Sequence, residues 1–188
     1  DQDAQLAPPS RLTGMIMSDK APTHGDRIWI LESARLGSEL VENGYYYQFF
    51  NEDSLLNAAV RDGTAVMGEA EFEALIFFKE KTLPAAAAEK LAGLAAQGIP
   101  VLWVGSQPDR DPGFSDHEQR DRQVQEAVAR IGAPVLDPGQ VMSALQDQGV
   151  APQITYQDPQ PGLGFIHKTD RARRAPLYFL RSRLRQEP

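Results

Sequence analysis

Residues 74–104 read ALIFFKEKTLPAAAAEKLAGLAAQGIPVLWV, and this stretch decides the fold class. Ala74–Phe78 is a short, wholly apolar run, the mark of a strand buried on both faces. A polar turn follows, and then Pro84 opens an Ala- and Leu-rich run to Gln97. Proline is at home there because the N–H it lacks would be unpaired in a first helical turn anyway. Gly98 stops the helix. Val101–Val104 then repeats the buried-strand pattern. Strand, helix and strand in about 30 residues is the βαβ unit that joins parallel strands.

The pattern extends both ways. Downstream lie a polar loop (Gly105–Glu118), a helix (Gln119–Ile131), a short strand (Pro134–Leu136) and a second Pro-opened helix (Pro138–Gln148). Upstream, Ile28, Leu31, Leu36 and Leu40 recur at helical spacing between Asp26, a suitable N-cap, and the stop at Gly44. Tyr45–Phe50 reads as an aromatic strand. The acidic loop Asn51-Glu52-Asp53 leads to a short helix over Ser54–Val60, a turn at Arg61–Thr64 and a short strand at Ala65–Met67. Residues 1–25, with Pro8, Pro9, Pro22 and Gly25, read as a linker with one possible strand at Leu12–Met17. The expectation is an α/β fold: an open, mostly parallel sheet with helices on both faces over residues 26–150. Residues 151–188 form a Pro-rich connector and a C-terminal β-hairpin, with apolar runs ending in His167 and resuming at Leu177–Leu180.

Composition narrows the function classes. The chain has 188 residues, 41% of them hydrophobic and 24% charged, in the range of an ordinary globular domain. No apolar run approaches the ~18 residues that cross a bilayer, so no membrane partner is expected. Cysteine is absent, which removes disulfides, thiolate metal sites and every cysteine nucleophile. The chain opens at Asp1 with no initiator Met and no signal-peptide pattern, which predicts a processed end or a cut from a longer polypeptide. The net charge of −7 is uneven. Residues 167–188 carry seven bases and two acids, while the rest carries 12 bases and 24 acids. A basic tail invites a nucleic-acid reading. Here, however, the bases interrupt strands instead of lining a helix face, so they read as guards of a solvated sheet edge and no nucleic acid is expected.

In open α/β sheets, ligands bind beyond the carboxyl ends of the strands. Those ends carry Asn51-Glu52-Asp53 after the first strand, Lys79-Glu80-Lys81 after the second and Gly105–Asp111 after the third, and the candidate substrate-binding residues are Asn51, Glu52, Asp53, Asp109 and Asp111, with His167 on the hairpin. Glu52 and Asp53 have the chemistry for acid/base work. The competing reading is helix capping, with Asn51 or Asp53 accepting from unpaired N–H groups. Asp109, Asp111 and Asp116 share a loop with His117, but their spacing matches no calcium loop, and no metal is expected. Neither GxGxxG, GK[ST] nor GxSxG occurs. His167 ends a strand beside Lys168 and reads as a structural or junction residue.

Three segments in order carry a family resemblance: GYYYQFFNEDSLLNAAVRDG (Gly44–Gly63), GIPVLWVGSQPDRDPGFSD (Gly98–Asp116) and GFIHKTDRARRAPLYFLRS (Gly164–Ser182). Together they resemble the later part of the α-L-rhamnosidases of glycoside hydrolase family 106. The closing hairpin departs from the family at Arg174–Leu177, at Leu180–Ser182 and at Lys168. The resemblance implies a parent enzyme that removes terminal α-L-rhamnose, secreted or periplasmic, with its catalytic acids on a (β/α)8 barrel and with calcium as a possible aid. A barrel needs about 250 residues, so this chain would be an accessory domain without catalytic residues or cofactor of its own. Its shape would be flavodoxin-like or glutamine-amidotransferase-like, and its partners would be the parent's barrel and β-domains. The alternative is a stand-alone module of flavodoxin-like shape that binds a carbohydrate or small ligand along the acidic rim.

Overall fold

The computed structural model describes residues 24–156, 163–170 and 175–182. These residues form two compact units, 49–144 in one and 24–48 with 145–182 in the other. The linker expected at the N-terminus, with its strand at Leu12–Met17, lies outside the described residues.

The first unit contains the βαβ pattern. Strand β4 (Leu75–Phe78), helix α3 (Ala85–Ala96), strand β5 (Val101–Val104), helix α4 (His117–Ile131) and strand β6 (Val135–Leu136) follow in order. The strands pair in parallel, Phe77 opposite Trp103 and Trp103 opposite Val135. β5 lies between the other two and is buried at every position, which is why it reads as an unbroken apolar run. Ahead of this sheet come the short helix α2 (Glu52–Leu56) and an antiparallel meander of β1 (Ala59–Arg61), β2 (Thr64–Met67) and β3 (Ala70–Phe72). The β1–β2 turn is Asp62-Gly63, both with positive φ (50° and 80°). Two such residues give the primed turn whose twist matches a hairpin.

One hydrophobic core serves this unit. Leu55 of α2, Ala65 and Met67 of β2, Leu75 and Phe77 of β4, Leu91 of α3, Trp103 of β5 and Val124 of α4 all belong to it. Phe50 meets the rings of Phe72 and Phe77 edge-on, at 5.9 and 5.7 Å. Such contacts add about 0.5–1.5 kcal/mol beyond area burial. Helices α3 and α4 pack on each other, and Arg130 and Glu89 bridge them at 2.6 Å.

Two expectations change here. Tyr45–Phe50 is not a strand, and the short helix ends at Leu56, with Ala59–Arg61 extended instead of helical. The parallel sheet therefore has three strands in sequential order, β4-β5-β6. Crossovers of one hand along a sequential order place both helices on one face, which fits the packing of α3 on α4. Helices on both faces would need a strand on the far side of β4, and among the described residues none pairs there.

In the second unit, the tyrosine segment follows helix α1 (His24–Glu42) and is held by side chains and turns. The Tyr45 hydroxyl donates to Val150 O (3.2 Å), the Tyr46 N–H to Gln153 Oε1 (2.7 Å) and the Ile154 N–H to Gly44 O (3.2 Å). Gly44 has φ +83°, and a Cβ there would overlap the Ile154 carbonyl, so only glycine suits this crossing. Aromatic content suggested a ladder, but Tyr45 and Tyr46 bond instead to Val150 and Gln153. Helix α5 (Val141–Asp147) carries the chain into this unit after a 3-10 turn at Pro138–Gln140. The terminal hairpin forms as expected, with β7 (Leu163–Asp170) antiparallel to β8 (Ala175–Ser182).

Candidate functional site

The acids singled out by the sequence lie in the loops around the parallel sheet and α2. Asn51 has extended backbone (φ −112°, ψ 174°), and its Oδ1 accepts the Ser54 N–H at 2.9 Å. It is the N-cap of α2, and Glu52 and Asp53 occupy the first turn, where negative charge is favoured. Capping, not acid/base pairing, is thus what the local geometry provides. Asn51→Ala is expected to lower the unfolding free energy by about 1 kcal/mol in urea titrations, with Asn51→Asp close to neutral. An unchanged midpoint for the alanine variant would contradict the capping role.

Asp109 is exposed and pairs with its neighbour Arg110 at 2.8 Å. Asp111 differs sharply, with a fully buried side chain. Its Oδ2 accepts the Ala85 N–H (2.8 Å), and its Oδ1 accepts the Gly113 N–H (2.7 Å) and meets Arg120 Nη2 at 3.1 Å. Its own N–H donates to Asp121 Oδ1 at 2.8 Å. The reason lies in α3. The N-cap position of that helix is Pro84, which makes no side-chain cap. A helix start carries unpaired N–H groups and partial positive charge. Asp111, reaching over from the loop after β5, supplies the missing acceptor. Burial works to raise its pKa, but the two N–H groups and the Arg120 guanidinium outweigh it and hold the carboxyl below its usual range.

The loops after β4 and β5 are joined along their length. The Ser106 hydroxyl donates to Glu80 O (2.9 Å), the Asp109 N–H to Lys81 O (3.2 Å) and the Leu83 N–H to Arg110 O (3.0 Å). Lys79 takes a left-handed conformation (φ 53°), and Gly105 (φ 78°) lies against its side chain. The two loops at the carboxyl edge of the sheet between β4 and β5 are therefore laced together. A sequential three-strand order also has no point at which the connections diverge, the usual origin of a ligand crevice.

Glu80, at the carboxyl end of β4, was not among the candidate residues. It is partly buried at this edge, and burial pushes its pKa up to about 7. Its place beyond a strand's carboxyl end was legible between Lys79 and Lys81, but its burial was not, because no local pattern reports desolvation. His167 lies in β7 opposite Tyr178, and its side chain lies outside the described positions. Among the described residues, no group of three or more His, Asp or Glu is arranged to hold a metal ion, and no helix is long and apolar enough to cross a membrane. Set against known proteins, the chain matches no family model, no curated protein and no solved structure.

Proposed function

We propose that this chain is an accessory α/β domain of a glycoside hydrolase resembling the α-L-rhamnosidases of glycoside hydrolase family 106. Its role is to pack on the parent's barrel and shape the sugar cleft, with catalysis, and any calcium, residing in the barrel. The β4–β6 sheet would be a reduced form of the flavodoxin-like or glutamine-amidotransferase-like sheet, and the hairpin the start of the following β-domain. The motif order carries the family part of this reading. One observation supports the non-catalytic part: Asp111, the most buried of the candidate acids, has both carboxylate oxygens engaged by backbone N–H groups and Arg120. A carboxyl so engaged, and held below its usual range, is already ionised near neutral pH and has no proton to donate. The purified chain is expected to release no rhamnose from an aryl α-L-rhamnoside. Release above the buffer rate, abolished by Glu52→Ala, would overturn the reading.

Glu80 favours a second reading, a stand-alone module that binds a carbohydrate or small ligand at the carboxyl edge of the sheet. A partly buried carboxyl with a raised pKa is a recurrent feature of binding sites. Calorimetry with neutral oligosaccharides separates the two: heat lost in Glu80→Gln favours the module, and no heat from the folded chain removes it.

A further inference from the structure

The chain has three asparagines, Asn43, Asn51 and Asn57, and only Asn43 is followed by glycine. That pair is open to attack within the chain, because Gly44 puts no side chain in the way of its own amide nitrogen. The Gly44 nitrogen attacks Asn43 Cγ. A C–N bond forms, the Cγ–Nδ2 bond breaks, and ammonia leaves with the proton from the Gly44 nitrogen. Water then opens the cyclic imide at either carbonyl, which leaves aspartate or isoaspartate. Asn43 is exposed, so water reaches it. In the fold, however, both reacting groups are engaged. The Gly44 N–H donates to Val41 O (3.0 Å) and the Tyr45 N–H to Leu40 O (2.9 Å), with Gly44 left-handed at φ +83°. These are the paired bonds of a Schellman motif at the end of α1. The amide to be lost is also held, since Asn43 Nδ2 donates to Glu39 O at 2.8 Å. Helix ends open more readily than helix centres, and opening this turn releases both groups at once.

The products do not fit back equally. Isoaspartate routes the main chain through Cβ and Cγ and so lengthens it between residues 43 and 44. Gly44 has no slack to absorb this. Its carbonyl accepts the Ile154 N–H (3.2 Å), and a Cβ on it would overlap the Ile154 carbonyl. The aspartate product keeps the normal backbone but places a negative charge at the C-terminal end of α1. The last turn there already holds Glu39 and Glu42 and no base, and negative charge at a helix C-terminus is unfavourable. We infer that Asn43–Gly44 is a deamidation site guarded by the C-terminal turn of α1, and that its conversion to isoaspartate is a one-way switch. Once it occurs, residues 44–46 no longer return to their bonds with residues 150–154. This inference does not depend on the glycosidase reading.

The test incubates the full chain at mildly alkaline pH, once folded and once in denaturing urea. Mass spectrometry of digests then reads the loss of each amide, and fragmentation separates aspartate from isoaspartate. In urea, Asn43 is expected to react ahead of Asn51 and Asn57. In the folded chain its reaction is expected to be at least about tenfold slower, because only the open fraction reacts. After the urea is removed, 15N-labelled chains carrying isoaspartate are expected to lack the native amide signals of Tyr46 and Ile154, whose N–H groups make the crossing bonds. Asn43→Gln, with a longer side chain that cyclises far more slowly, is expected to survive the same incubation and regain both signals. Asn43→Ser, which has no amide to lose, takes its place should the glutamine variant fail to fold. Equal rates at Asn43 in the folded and unfolded chain, no lead of Asn43 over the other two asparagines in urea, or an isoaspartate fraction that regains both signals would each overturn the inference.

Discussion

Asp111→Ala is expected to lower the unfolding free energy of the β4–β6 unit by about 3–5 kcal/mol, the cost of breaking a buried ion pair from one side. Three groups lose their acceptor at once: the Ala85 N–H, the Gly113 N–H and the Arg120 guanidinium. Each buried donor left unpaired costs about 1–3 kcal/mol. Arg120 recovers part of its loss because it is partly exposed. Asp111→Asn keeps the shape and one good acceptor and should cost less than the alanine variant. Urea titrations near pH 7 measure both. The pH sense follows from the lowered pKa. The native carboxyl resists protonation, so its contribution is present above the ordinary aspartate range and is lost as pH falls through the depressed native value. An alanine variant within about 1 kcal/mol of the parent would mean that α3 does not depend on this cap.

Glu80 gives the second large effect, with the opposite sign. Its pKa rises from an ordinary value of 4.5 to about 7 in the fold. Between these values the native state binds more protons than the unfolded chain, so stability falls as pH rises from 4.5 through 7. Each unit of pKa difference corresponds to about 1.4 kcal/mol, so the loss is at most on the order of 3 kcal/mol. Glu80→Gln removes the charge while keeping the shape. It should flatten the dependence and stabilise the protein above pH 7, with little change near pH 4.5. Thermal melts of both proteins across that range test this; parallel curves would show that water reaches the carboxylate freely. Replacing a titratable group usually costs stability, so a gain would be distinctive.

Both residues show what the sequence makes legible and what it does not. The βαβ unit was readable because its signals are local: two apolar runs of strand length, a Pro-opened helix and a glycine stop. The Asp62-Gly63 turn was readable for the same reason. Tyr45–Phe50 misled because aromatic residues favour strands only where a neighbour offers a ladder. Here the segment bonds instead to residues 150–154, about 105 positions away, and no window of sequence reports such a pairing. Asn51 was legible as a cap because its acceptor lies three residues on. Asp111 was not, because the helix it caps begins 26 residues earlier. A hint existed: a helix opened by Pro84 lacks a capping side chain and needs an acceptor from elsewhere. The position of Glu80 was legible, but its raised pKa was not, because its desolvation is tertiary.

The claim at the centre is that the carboxylate most suited by position to chemistry serves the backbone instead. Carbon-detected NMR titration of the side-chain carboxyls, from pH 2 to 8, addresses it most directly. The geometry predicts that Asp111 titrates below the ordinary aspartate range, alongside a cooperative loss of structure at low pH, while Glu80 titrates at about 7. An Asp111 carboxyl that titrates at or above the ordinary value in a fully folded protein would contradict it, and would return that residue to the list of groups able to donate a proton.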